Sequence, residues 1–246
     1  MAALASCLTT VRARAQWSVD ATVEHFSWRE HTSPIEVHET GPRVVLGVGY
    51  VLPRARGALL AYRGTVYGGN VDYSGSFQFD VAQAARGTSG YVGTTQGVEL
   101  RYRWPGAVDA LAGLDVDLWR RSLGTSQRED YRILSARLGV DHIAVRSSRV
   151  TAGGGLRWLL LTAEKSTIKE GGFTYRLLLS PGLGVNPFLH VGYRVAPRIT
   201  VIATMDGMRL GQSDPLAVRR NGQPQAVVFQ PASDLDVLGA RIVYGF

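Results

Sequence analysis

The chain has 246 residues, 45% of them apolar and 19% charged, with 27 Lys and Arg against 20 Asp and Glu. That apolar share excludes a disordered polymer, and the lack of any run of about 18 apolar residues excludes a membrane-spanning helix. The net charge of +7 would suit nucleic acid, but the cations are almost all Arg and recur at alternate positions, as in Glu99, Arg101 and Arg103; no basic face forms, and nucleic acid is not an expected partner.

In chain order, residues 2–11 are mostly small or apolar, and Ala13-Arg14-Ala15 before Gln16 fits a small-residue cleavage site. Residues 1–15 therefore read as a signal peptide. Two features depart from that pattern: no Lys or Arg precedes the apolar run, and Arg12 and Arg14 crowd the cut. A start codon assigned too far downstream accounts for the first. Cleavage would remove Cys7, the one cysteine, and leave residues 16–246 without a thiol, as suits an oxidising compartment.

Trp17, Val19, Ala21 and Val23 then alternate with Ser18, Asp20, Thr22 and Glu24, a period of two that predicts a strand with one apolar face. A loop is expected over 27–42. Val44 to Leu52, Ala58 to Thr65, Val98 to Trp104, Ala112 to Leu118, Leu134 to Val140 and Ala152 to Leu160 repeat the pattern. Residues 67–94 are polar and glycine-rich and read as a long loop, with Tyr73, Phe77, Phe79 and Tyr91 packed on it or into an interior. Pro181 and Pro187 interrupt 173–195, where Leu189, Val191, Tyr193 and Val195 face outward; Phe173 to Leu179 either extend that strand or belong to a loop. Ile199 to Met205 make a ninth strand. From Asp234 onward, Leu238, Ala240, Ile242, Tyr244 and Phe246 give a tenth.

That last segment resembles the closing strand of bacterial outer-membrane β-barrels, which end in an aromatic preceded by alternating apolar residues. The resemblance implies an all-β antiparallel transmembrane barrel in the outer membrane of a Gram-negative bacterium. Tyr244 and Phe246 would be the signal read by the barrel-assembly machinery, and outer-membrane lipid would surround the strands. Connection lengths agree, with short turns near 53–57, 105–109, 141–148 and 196–198 alternating with long ones near 27–42, 67–94, 162–184 and 210–233. The connection near 121–128 is short where the series asks for a long one. Ten strands keep both ends of the barrel domain, 16–246, on one side; splitting or merging 173–195 gives twelve or eight. Trp17, Tyr50, Trp104, Tyr193, Tyr244 and Phe246 would form an interfacial girdle.

The inward positions carry Asp20, Glu24, Glu99, Asp115, Asp117 and Asp206 with Arg63, Arg101, Arg103, Arg137, Arg157, Arg194 and Arg241. Guanidinium pairs carboxylate through a planar fork, so this set predicts an ion-pair network filling the lumen. Omptin proteases resemble the chain at Asp115-x-Asp117, since they set an Asp pair against an Asp–His pair. No Asp-x-His occurs here, and Asp141-His142 falls at a turn. Outer-membrane lipid A deacylases use a lipid-facing Ser–His dyad, whereas His190 faces inward. His25, His31 and His38 lack metal spacing; no metal, cofactor or catalytic residue is expected. Gly153-Gly154-Gly155 lies within a strand and would ease curvature. The expectation is a non-enzymatic barrel with a charge-paired lumen and long surface loops for adhesion or ligand contact, the surface ligand being unspecified. A narrow pore for small solutes and an outer-membrane hydrolase are the alternatives.

Overall fold

A computed structural model describes residues 16–246 apart from 54–56, 78–79, 105–106, 124–126, 171–172, 180–182 and 221–222. The expected signal peptide lies outside the described residues. The strands are β1 (Gln16–Glu30), β2 (Val37–Pro53), β3 (Ala58–Phe77), β4 (Asp80–Trp104), β5 (Val108–Leu123), β6 (Gln127–Arg146), β7 (Val150–Glu170), β8 (Phe173–Leu179), β9 (Gly184–Ala196), β10 (Ile199–Leu210), β11 (Leu216–Arg220), β12 (Gln223–Val228) and β13 (Ser233–Gly245).

Each strand pairs antiparallel with its neighbour, and the sheet closes on itself. β1 pairs with β13 from Ser18↔Gly245 to Glu30↔Ser233, and β6 pairs with β7. The backbone N–H of Phe246 donates to the Trp17 carbonyl at 3.0 Å, fastening the seam at its lower end. β9 pairs with the lower part of β7 and β8 with its upper part, so β8 and β9 together make one stave. The barrel therefore has ten staves: β1 to β7, β8–β9, β10 and β13. Phe173 to Leu179 extend the eighth stave. β11 and β12 form a separate hairpin between β10 and β13.

The alternation sorts side chains as a bilayer requires. Val23, Val44, Val66, Val92, Leu118, Leu134 and Leu238 stand exposed on the outer face and mark the top of an apolar belt. Its lower edge, at the short turns, holds an aromatic row: Trp17 lies 4.6 Å from Tyr50, and Tyr102 with Trp104 and Tyr244 with Phe246 make edge contacts. Rings with one apolar face and one polar rim suit a membrane–water interface.

The strands run well past the belt, which corrects several expected loops. Residues 67–77 and 80–94 are paired strand, in register from Tyr67↔Gly93 to Ser76↔Ala84. β1 continues to Glu30 and β2 begins at Val37, so the first connection shrinks to 31–36. Much of 162–184 is β7 and β8, and Asp141 to Arg146 belong to β6, leaving 147–149 as the turn. The physical reason is common to the upper ones, the lower turn at 147–149 aside. Above the belt the outer face meets water, so the alternation of apolar residues stops while backbone pairing goes on. The short connection near 121–128 then ceases to be odd, because β5 and β6 rise as far as the top of β7 and pair up to Leu123↔Gln127.

Candidate functional site in the lumen

Within the belt, the inward charges meet along the wall, mostly skipping one strand. Arg63 Nη2 reaches Asp20 at 2.7 Å. Glu99 accepts from Arg101 Nε at 2.6 Å and is 3.2 Å from Arg137 Nη2, while Arg137 Nη1 also donates to Asp115. Arg101 Nη1 continues to Asp141 at 3.1 Å, and Asp141 meets His190 Nε2 at 3.1 Å. Arg157 bridges Asp206 and Asn186, with its guanidinium 3.8 Å over the Phe188 ring. Small residues make room for these groups: a Cβ added at Gly47 or Gly97 would collide with the carboxylate of Asp20 or Asp115.

Other expected members take different partners. Glu24 pairs with Arg43, and Arg103 pairs with Asp109 at the lower rim. Asp117 accepts from the hydroxyls of Tyr67 (3.0 Å) and Thr95 (2.9 Å) and, among the described residues, pairs with no guanidinium. Arg194 and Arg241 form no side-chain ion pair among the described residues, and Arg241 Nε is buried without an acceptor. Asp141, expected at a turn, is instead 1% exposed inside β6, because the strand runs on past it.

At the top of the belt the interior changes character. Phe26, Val71 and Tyr91 are buried together with Trp28, Trp119, Leu235 and Val237 against them. The ring contacts cross the barrel: Phe26 of β1 lies 5.3 Å from Tyr91 of β4, and Trp28 of β1 lies 6.4 Å from Trp119 of β5. Trp119 is itself stacked between Tyr91 (5.5 Å) and Tyr131 (4.0 Å). Arg43 caps the cluster from below, 4.0 Å from the centre of the Phe26 ring. These rings form a layer reaching across the interior from β1 to β4, β5 and β6.

Above it sits a buried acidic group organised by one cation. Arg121 donates to Glu129 at 2.7 Å and to Glu39 at 3.3 Å. Glu39, 0% exposed, also accepts from Ser89 and Tyr91, and Glu129 accepts from Tyr131 at 2.6 Å. Glu30 and Glu164 complete the group. Burial pushes the carboxyl of each up to about 7, reinforced by the neighbouring glutamates and opposed by Arg121. Glu164 Oε1 and Ser166 Oγ are buried with no hydrogen-bond partner among the described residues. Sequence reasoning missed Glu39, Arg121, Glu129 and Glu164 because they lie in segments read as loops, to which no face was assigned. The signal available was continuation of the inward phase, as in Trp119-x-Arg121 and Glu129-x-Tyr131.

On the outer face of the same extension, Ser27 Oγ lies 3.3 Å from His38 Nε2. Among the described residues no group of His, Cys, Asp and Glu side chains is arranged to hold a metal ion.

No protein-family model and no curated protein sequence matches the chain. Solved structures do. The outer membrane protease OmpT from Escherichia coli aligns with a TM-score of 0.58 at 11% identity, over 94% of this chain and 96% of that one. The translocator domain of the autotransporter NalP from Neisseria meningitidis aligns at 0.49 and 10% identity, over 93% and 88%. The Neisserial surface protein A gives 0.41 and 12%, over 95% and 99%. With the OmpT structure the chain shares the fold, an antiparallel bacterial outer-membrane β-barrel.

Proposed function

We propose that this outer-membrane β-barrel is a non-enzymatic surface protein, closed to solute flow, whose extension and rim make its contacts with ligand or adhesion partner. The aromatic layer carries this reading. Trp28 and Trp119 meet from opposite sides of the barrel, and a narrow bore obstructed by stacked rings is poorly suited to passing hydrated solutes. Below it, the charged pairs brace the wall; above it, the buried carboxylates hold the extension rigid enough to present a fixed surface.

The purified protein in planar bilayers should show no steady conductance, and the double variant Trp28→Ala, Trp119→Ala should introduce one. A stable, ion-selective current in the parent protein would overturn the reading and revive the narrow pore.

A hydrolase reading has one contact in its favour, the approach of Ser27 to His38 on the outer face. A serine beside an imidazole is the start of an acyl-transfer site. It stands second because no carboxylate contacts His38 to orient the ring among the described residues. Hydrolysis of acyl esters in mixed micelles, lost in Ser27→Ala, would put it first.

A further inference from the structure

The outer face of β5 to β8, just above the apolar belt, carries a concentration of positive charge. The register places three rows across these strands. Arg132 lies opposite Lys165, Arg120 opposite Asp130, and Arg128 opposite Lys169. Arg176 of β8 adjoins the middle row, opposite Thr167. Arg132, Lys165, Lys169 and Arg176 are exposed and Arg120 and Arg128 half-buried, and one carboxylate, Asp130, is shared by Arg120 (2.7 Å) and Arg128 (3.3 Å). Lys165 and Lys169 are the only lysines in the chain.

Two of the cross-strand pairs, Arg132↔Lys165 and Arg128↔Lys169, set like charges directly opposite each other. Such pairs destabilise a sheet, and here they lie on either side of the row that holds Asp130 and Thr167. An anion seated among them would relieve the repulsion. The opposite flank shows no such excess: Arg209 is neutralised by Asp234 and Asp236, and Arg29 lies opposite Asp234. The cationic rows also continue directly from lipid-facing residues, with Leu118 beside Arg132 in register and Leu134 two residues along β6. Three strand spacings of about 4.8 Å give the patch a width of roughly 14 Å, enough to span a headgroup bearing more than one phosphate.

We propose that this patch binds the phosphorylated headgroup of an outer-leaflet lipid, whose acyl chains lie on the belt below Arg132 and Lys165. Continuity with the belt commits the site to a membrane lipid over free phosphate, since acyl chains anchored below would hold the anion at this height. Arg contributes bidentate contacts and Lys point charges.

The test uses the folded protein in phosphatidylcholine nanodiscs, alone or doped with bisphosphorylated lipid A or with lipid A stripped of phosphate. Native mass spectrometry should find bisphosphorylated lipid A retained in preference to the stripped form. Arg132→Gln and Lys165→Gln should each lower retention roughly fivefold, while Arg209→Gln on the opposite flank leaves it unchanged. Thermal unfolding gives a second readout that a merely structural role would not produce. Without lipid A, Lys165→Gln should unfold at the same temperature as the parent or higher, because a repulsion is removed; with lipid A it should unfold lower than the parent. Equal retention of both lipid A forms, or retention indifferent to Arg132→Gln and Lys165→Gln, overturns the proposal. Displacement of lipid A by inorganic phosphate alone would reassign the patch to free anions and overturn the lipid assignment.

Discussion

The same strands are built inside-out in the membrane relative to the extension above it. Along β4, Val92, Val98, Leu100, Tyr102 and Trp104 turn apolar side chains outward, while Glu99 and Arg101 face in. Higher on the same strand Thr88 and Arg86 face out, and Tyr91 and Ser89 are buried inside. β1 repeats the inversion, with Asp20 and Glu24 inward below and Phe26 inward above. A single backbone ladder thus serves two solvents. Acyl chains demand an apolar exterior and leave the interior to paired charges; water permits an ordinary apolar interior. The lesson is that pairing and side-chain polarity are set independently, the first by closure and the second by what lies outside.

Substitutions that respect the ladder but misread the solvent separate the two regions. The largest effect is expected inside the extension, at Glu39→Ala. It strips Arg121 of one carboxylate and leaves the Ser89 and Tyr91 hydroxyls without an acceptor. Breaking a buried pair of this kind costs about 3–5 kcal/mol. Urea unfolding from lipid vesicles, followed with protease sensitivity of the upper strands, should show the extension failing first. A loss confined to the belt would break the distinction. Next comes a matched pair on one face of β4: Val98→Arg should cost about 2–4 kcal/mol because it faces lipid, while Thr88→Arg should stay within about 0.5 kcal/mol. Equal costs in the same vesicles would mean that the belt is misplaced.

Acidity sharpens the contrast further. Glu30 and Glu164 titrate near 7 in the folded extension, against 4.5 ordinarily. A carboxyl whose folded pKa is raised binds more protons folded than unfolded between those values, so stability falls as pH rises from about 4.5 to about 7 and levels off above. Hydrogen exchange at Ile168 and its neighbours on β7, corrected for intrinsic rate, should therefore be better protected at pH 6 than at pH 8. Glu164→Gln should flatten that dependence. The smallest effect is expected at Arg209→Ala, where exposed pairs with Asp234 and Asp236 contribute under about 1 kcal/mol; a larger loss in urea unfolding would show that this flank is packed against something.

How much was legible in the sequence follows from the same inversion. The belt was readable residue by residue, because lipid contact imposes apolar alternation on strands such as Val44 to Leu52. β3 and β4 above Gly68 were not, because Gly, Ser and Thr on the outer face carry no signal of period two. The inward placing of Asp20, Glu99 and Arg137 followed from phase alone. Their partners did not, since Arg101 reaches over β5 to Asp141, and register between strands is a property of closure. The contact between Trp28 and Trp119 depends on which strands end up facing each other across the ring, and alternation along one strand contains no such information.

The seam between β1 and β13 carries a further consequence. Its pairing joins residues more than two hundred positions apart, so the two terminal staves can protect one another only after every intervening stave is in place. Assembly is therefore a zippering process with a late, all-or-none finish, slow for the reason that non-local pairings are slow. A copy halted before that finish displays two raw edges, each able to borrow a strand from another copy, and dimers by strand exchange are the form its failure should take.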